Sequence, residues 1–166
     1  MLDYPVLLLF PAALAYAAVM DIFTMTIPNR VSLALLAGFC IAAPVAGLSS
    51  HAFLMHIGAG ALMLAAGVGM FALRLLGGGD AKLLAAASLW MGFTYLLPFV
   101  LAVAISGGAL SILILAYRRV PAPAHMLPDW AARLHEEGSG IPYGLAICAG
   151  AFWIYPHTEL FKALIS

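Results

Sequence analysis

For 35 residues, from Leu83 to Tyr117, the chain carries no charged side chain. As one helix this run would be roughly 52 Å long, too long for a single crossing of a hydrocarbon core roughly 30 Å thick. It must therefore break and turn. Pro98 and the Ser106-Gly107-Gly108 cluster are the places the sequence offers for a turn or kink. The rest of the chain has the same character. Hydrophobic residues make up 65 % and charged residues 8 % of its 166 residues, and the mean hydropathy is +1.08. A soluble domain is about half apolar and about a quarter charged. Too little polar surface exists here to cover a water-facing fold, so the chain reads as an integral membrane protein.

The few charges divide the sequence into apolar runs. These lie at about Tyr4–Met20, Val31–Leu48, Ala52–Leu76, Lys82–Leu97, Phe99–Tyr117 and Tyr143–Leu160, the last interrupted by Pro156. The sequence thus predicts an all-α, polytopic bundle of about six transmembrane helices, a single membrane domain over residues 1–166. The first run contains Ala15-Tyr16-Ala17, loosely like a signal-peptidase site, but Met1-Leu2-Asp3 carries no basic side chain. It reads as a retained span. A polar loop occupies about residues 118–140, with Pro121, Pro123, Pro128, Asp129, Glu136 and Glu137. Its prolines oppose a continuous helix. A short helix could begin at Pro128, with Trp130 and Leu134 on one face; a plain tether is the other reading.

With six crossings, Arg30, Arg74, Lys82, Arg118, Arg119 and Arg133 fall on one side and only Lys162 on the other. The excess of Lys and Arg marks the cytoplasmic side. Both termini are then expected outside, in a multi-pass protein of the cell's inner (plasma) membrane. Formal net charge is zero, which argues against a nucleic-acid partner. Membrane lipid is the surrounding partner, and nothing fixes the oligomeric state. Cys40 and Cys148 stand far apart, in no Cys-x-x-Cys pair, and read as small buried hydrophobes. No metal and no cofactor is expected: His51 and His56 fall at the far face, His125 and His135 in the polar loop, and His157 near the outer end of the last span.

Two acids stand out against this background. Asp21 closes the first run and Asp80 opens the fourth. An ionisable group at the edge of hydrocarbon is costly and usually has a task. The same topology places both on the cytoplasmic face. Asp21 is followed by Ile27-Pro28-Asn29, where proline defines the turn into the second span. Asp80 follows Gly77-Gly78-Gly79 and precedes Lys82; glycines let backbones bend and helices approach. Other readings stand beside each. Asp21 also reads as no more than a mark of the membrane edge, and Asp80 as a cap of the fourth helix. Lys82 either tunes Asp80 or meets lipid headgroups, and Arg30 is open to the same two readings. Pro142-Tyr143-Gly144 opens the last span, with Tyr143 either an interface aromatic or part of a substrate groove. Gly58, Gly60, Gly67 and Gly69 in the third span suit tight helix packing.

Taken together, the aspartate followed by Ile27-Pro28-Asn29, the Gly-x-Gly-Asp of Gly77–Asp80 with Lys82, and the late Pro142-Tyr143-Gly144 resemble the type IV prepilin peptidases. These are membrane aspartic endopeptidases of the Gly-x-Gly-Asp type. The resemblance implies that Asp21 and Asp80 are the catalytic pair. It implies cleavage of the basic leader from prepilins at the cytoplasmic side, ahead of their hydrophobic helix. The longer members carry a cytosolic insert with paired cysteines and also methylate the new N-terminus; this chain has neither pair, so methyl transfer is not expected. Its short form is similar to the peptidase-only branch that serves Flp-type (tight adherence) pili, and also to archaeal preflagellin peptidases. Two carboxylates brought within a water's width cannot both ionise easily. The pair is expected to share one proton, one acid acting as general base on water and the other polarising the scissile carbonyl. The competing class is a small transporter or proton relay, which would want ionisable groups through the membrane depth; a non-catalytic assembly scaffold is a third.

Overall fold

The computed structural model describes residues 3–120, 127–136 and 138–165, with nothing said of the side chains of residues 3 and 4. Pro121, Pro123, His125 and Glu137 lie outside the described residues. The elements are α1 (Asp3–Thr24), α2 (Asn29–Val45), α3 (Ser50–Ala72), α4 (Gly78–Arg118), α5 (Asp129–His135), α6 (Tyr143–Ile154), a 3-10 turn (Tyr155–His157) and α7 (Glu159–Ile165). The fold is an all-α bundle, as expected.

Residue spacing explains which faces turn inward. In α1 the buried residues Phe10, Leu14, Ala17, Ala18 and Asp21 recur every three or four positions, the period of one helical face. The stripe that packs the core therefore carries Asp21 inward with it. In α4, Leu83, Ala87 and Trp90 continue the face that Asp80 begins. At the centre the Phe10 and Trp90 rings stack with centroids 4.9 Å apart, and Tyr155 closes on Phe10 at 4.5 Å. The Trp90 indole N–H donates to the Leu35 carbonyl at 3.0 Å, so the buried polar edge of the ring is satisfied.

The long charge-free run breaks at Gly92, not at Pro98 or the Ser106-Gly107-Gly108 cluster. Gly92 has φ 61° and ψ 178°, a conformation that costs little only for glycine. Pro98 and Gly107 lie within helix. The first arm, residues 78–91, runs antiparallel to α3: Gly67 packs on Ala81, and Gly60 on Leu89 and Ala85. The second arm, residues 93–118, returns along α6, with Gly150 against Val103 and Gly107 against Tyr143 and Ala146. The chain thus reverses at Gly92. One turn before the reversal, His56 Nδ1 meets the Leu89 carbonyl at 2.6 Å. His56 is a partner of the helix break rather than an ordinary interface residue.

Six rods alternate in direction: α1, α2, α3, the two arms of α4, and α6. Among the described residues, three helices are long and apolar enough to cross a membrane: Pro5–Thr24, Ser50–Ala72 and Gly78–Arg118. The last rod is shorter than the sequence suggests. It stops at Ile154, and Pro156 sits in the 3-10 turn that follows. The start of α1 and the α7 segment share one end, tied by the Tyr155 hydroxyl donating to the Leu7 carbonyl at 3.4 Å. Both acids lie at the other end.

Candidate active site

Three chain turns build that end. Met25 leaves α1 with φ 52°, and residues 26–28 run extended to Pro28, which is the N-cap of α2 rather than a first-turn residue. Ile27 then fits between two glycines. An ideal Cβ on Gly79 would lie 3.2 Å from Ile27 Cβ, and one on Gly144 would lie 3.0 Å from Ile27 Cδ1. One side chain so locks the starts of α4 and α6 onto the turn after α1. Asn29 ties the turn further, its Oδ1 accepting from Lys82 Nζ at 2.9 Å.

Asp21 is 5 % exposed. Its Oδ2 accepts from the Gly144 backbone N–H at 2.7 Å. Pro142 is the N-cap of α6 and supplies no side-chain cap, so a carboxylate from another helix satisfies one of the orphan first-turn donors. Gly144 must lack a side chain: a Cβ there would meet Asp21 Oδ2 at 2.9 Å. Asp80 is in the first turn of α4, with Gly77 rather than Asp80 as N-cap. Its carboxylate folds back over Gly77, where a Cβ would lie 2.7 Å from Oδ2. The other oxygen, Oδ1, is buried and has no hydrogen-bond partner. Native structures rarely tolerate such an atom without a use for it.

Both acids line one partly open cavity of about 790 Å³. Tyr143 lines it too, packed over Gly107. Gly78 serves differently: a Cβ there would lie 3.3 Å from the Phe71 ring. Among the described residues no group of three or more His, Cys, Asp or Glu could hold a metal.

Several contributors carry no sequence signal. Met25, Phe71 and Arg74 line the cavity, and Arg74 shares with Met25 a left-handed backbone (φ 60°) that non-glycine residues seldom adopt. From the sequence, Arg118 counts only as an orientation charge. In the structure its guanidinium donates to the Leu134 carbonyl at 2.9 Å, and to the Ser139 carbonyl and hydroxyl at 2.8 and 2.7 Å. It fixes the segment that leads into Gly140 and Ile141, two more residues of the cavity wall. Of the two readings open for this segment, the structure has the short helix: α5 forms, with Trp130 edge-on to Phe23 at 5.5 Å and Arg133 donating to the Phe23 carbonyl at 3.4 Å.

A sequence profile of the type IV leader peptidase family matches residues 8–112. The chain belongs to that family. The matched region holds Asp21, the Ile27-Pro28-Asn29 turn and Asp80, and ends before Pro142-Tyr143-Gly144. Comparisons with curated proteins and with solved structures give no match. Family membership supports a peptidase function of the type IV leader peptidase kind. Each of the three motifs places a residue on the wall of one cavity, Asp21, then Gly77 and Asp80, then Tyr143, whereas Asn29 and Lys82 line a different one.

Proposed function

We propose that Asp21 and Asp80 are the catalytic pair of an aspartic endopeptidase that removes the leader of Flp-type prepilins at the cytoplasmic face. The observation that carries this reading is the shared cavity, with both carboxylates on its wall and Asp80 Oδ1 unpartnered. The two acids are held unequally. Asp21 is fixed by the Gly144 N–H, whereas Asp80 keeps an oxygen free for water or substrate. With one proton between them, the ionised acid takes a proton from water as the water oxygen attacks the scissile carbonyl carbon. The protonated acid hydrogen-bonds the carbonyl oxygen. Collapse of the tetrahedral adduct breaks the C–N bond, and a carboxyl proton passes to the departing nitrogen. No methyl transfer is included.

Orientation follows from charge. Arg30, Arg74, Lys82, Arg118, Arg119 and Arg133 belong to the turns and helix ends at the acid end, and Lys162 to the opposite end. The positive-inside rule supports a cytoplasmic active site and outer termini. The test is cleavage of a prepilin in proteoliposomes. Asp21→Asn and Asp80→Asn should each abolish cleavage while the protein stays inserted and helical. Near-full activity of either variant would refute the pair, and cleavage of a preflagellin but no Flp-type prepilin would move the substrate assignment to the archaeal type.

A further inference from the structure

A second cavity of about 520 Å³ lies between α2, α3 and the first arm of α4, and shares no lining residue with the acid-bearing one. Its floor is formed by Gly60 and Leu89, and its walls by Leu33, Leu36 and Leu64, whose side chains are exposed to the surroundings of the bundle. One end is polar. There stand Asn29 and Lys82, the only charged residue in the lining. Lys82 is exposed and hydrogen-bonds the neutral Asn29 amide; among the described residues it makes no ion pair. The site is thus an apolar trough with an un-neutralised cation at its head.

We propose that this groove binds an anionic phospholipid, with the phosphate on the Lys82 ammonium and an acyl chain lying along Leu33, Leu36 and Leu64. Basic pockets between membrane helices are the usual form of a lipid headgroup site. An anionic lipid fits better than a zwitterionic one because no acid among the described residues pairs with Lys82. A lone lysine at one end of an otherwise uncharged, mostly apolar lining matches one headgroup phosphate and the acyl chain behind it.

The test is native mass spectrometry of the purified full chain in detergent, titrated with phosphatidylglycerol or phosphatidylcholine. Wild type should hold one phosphatidylglycerol in preference to phosphatidylcholine. Lys82→Gln should weaken it about fivefold or more, and Lys82→Arg should restore it. Leu36→Trp, which fills the trough, should remove it, while Arg119→Gln, away from the groove, should leave it unchanged. Equal phosphatidylglycerol binding by wild type, Lys82→Gln and Leu36→Trp would overturn the proposal. So would an equal loss in Arg119→Gln, or no preference over phosphatidylcholine. Binding of an acid-bearing apolar helical peptide that Leu36→Trp blocks, with lipid binding unaffected, would give the groove to a helix instead.

Discussion

Each acid faces a glycine whose missing side chain leaves room for it, and Gly144→Ala is the sharpest test of that arrangement. The added methyl would sit 2.9 Å from Asp21 Oδ2, 3.1 Å from Asp21 Cβ and 3.0 Å from Ile27 Cδ1. Real Cβ contacts of this kind are essentially unknown below 3.0 Å. Asp21 is pressed from a buried position and Ile27 is held by Gly79, so neither can yield far. The carboxylate must move off the Gly144 N–H, which it meets at 2.7 Å. A hydrogen bond to a charged group is worth about 1.5–3 kcal/mol, and a carboxylate displaced from its reacting geometry loses rate on a similar scale. The two describe one displacement and are not summed; either corresponds to a fall of roughly 10- to 100-fold in kcat/KM. The assay is initial-rate cleavage of a prepilin in proteoliposomes, with helicity measured alongside by circular dichroism. Gly69→Ala is the matched control, since nothing lies within 4 Å of its Cβ position. Wild-type kcat/KM in Gly144→Ala would refute the claim that Asp21 acts from the position Gly144 gives it.

Gly77→Ala should act on Asp80 in the same way, because its methyl would lie 2.7 Å from Oδ2; the same cleavage assay reads it, and the loss should equal or exceed that in Gly144→Ala. His56→Ala should remove the bond to the Leu89 carbonyl and cost about 1–3 kcal/mol, seen as a lower thermal midpoint in detergent. Trp90→Ala removes a fully buried ring and its bond to Leu35 and should cost about 3–5 kcal/mol in the same thermal assay. Arg118→Gln frees the Ser139 segment; cleavage should fall several-fold while the thermal midpoint moves little, a split that a merely structural role would not produce.

The fold class was legible because hydrocarbon leaves so few options: a chain this apolar must pair its backbone within helices. The first three rods followed from composition and proline position, whereas for α5 the sequence left helix and tether equally open. The break at Gly92 did not. Pro98 and a glycine pair looked better suited to a turn, yet a proline is tolerated within a helix when neighbours absorb the lost bond, and Gly107 is used for packing against Tyr143. At Gly92 the backbone reverses beneath the ring of His56, thirty-six positions earlier, and no local pattern announces a partner that remote. The acids were legible as isolated charges in an apolar background. Their neighbours Met25, Phe71 and Arg74 were not, since they matter by where the turns after α1 and α3 carry them.

Ile27 shows why three weak signatures become one site. In the chain it lies 52 residues before Gly79 and 117 before Gly144. In space it touches both, and only because neither has a Cβ. A larger residue at either glycine would separate α4 or α6 from α1. The separation would carry Asp80 away from Asp21, or the Gly144 N–H away from its carboxylate. The glycines, the isoleucine and the two acids are therefore a single packing solution: the same close approach that holds the helix ends together is what sets both carboxyl groups on one cavity wall.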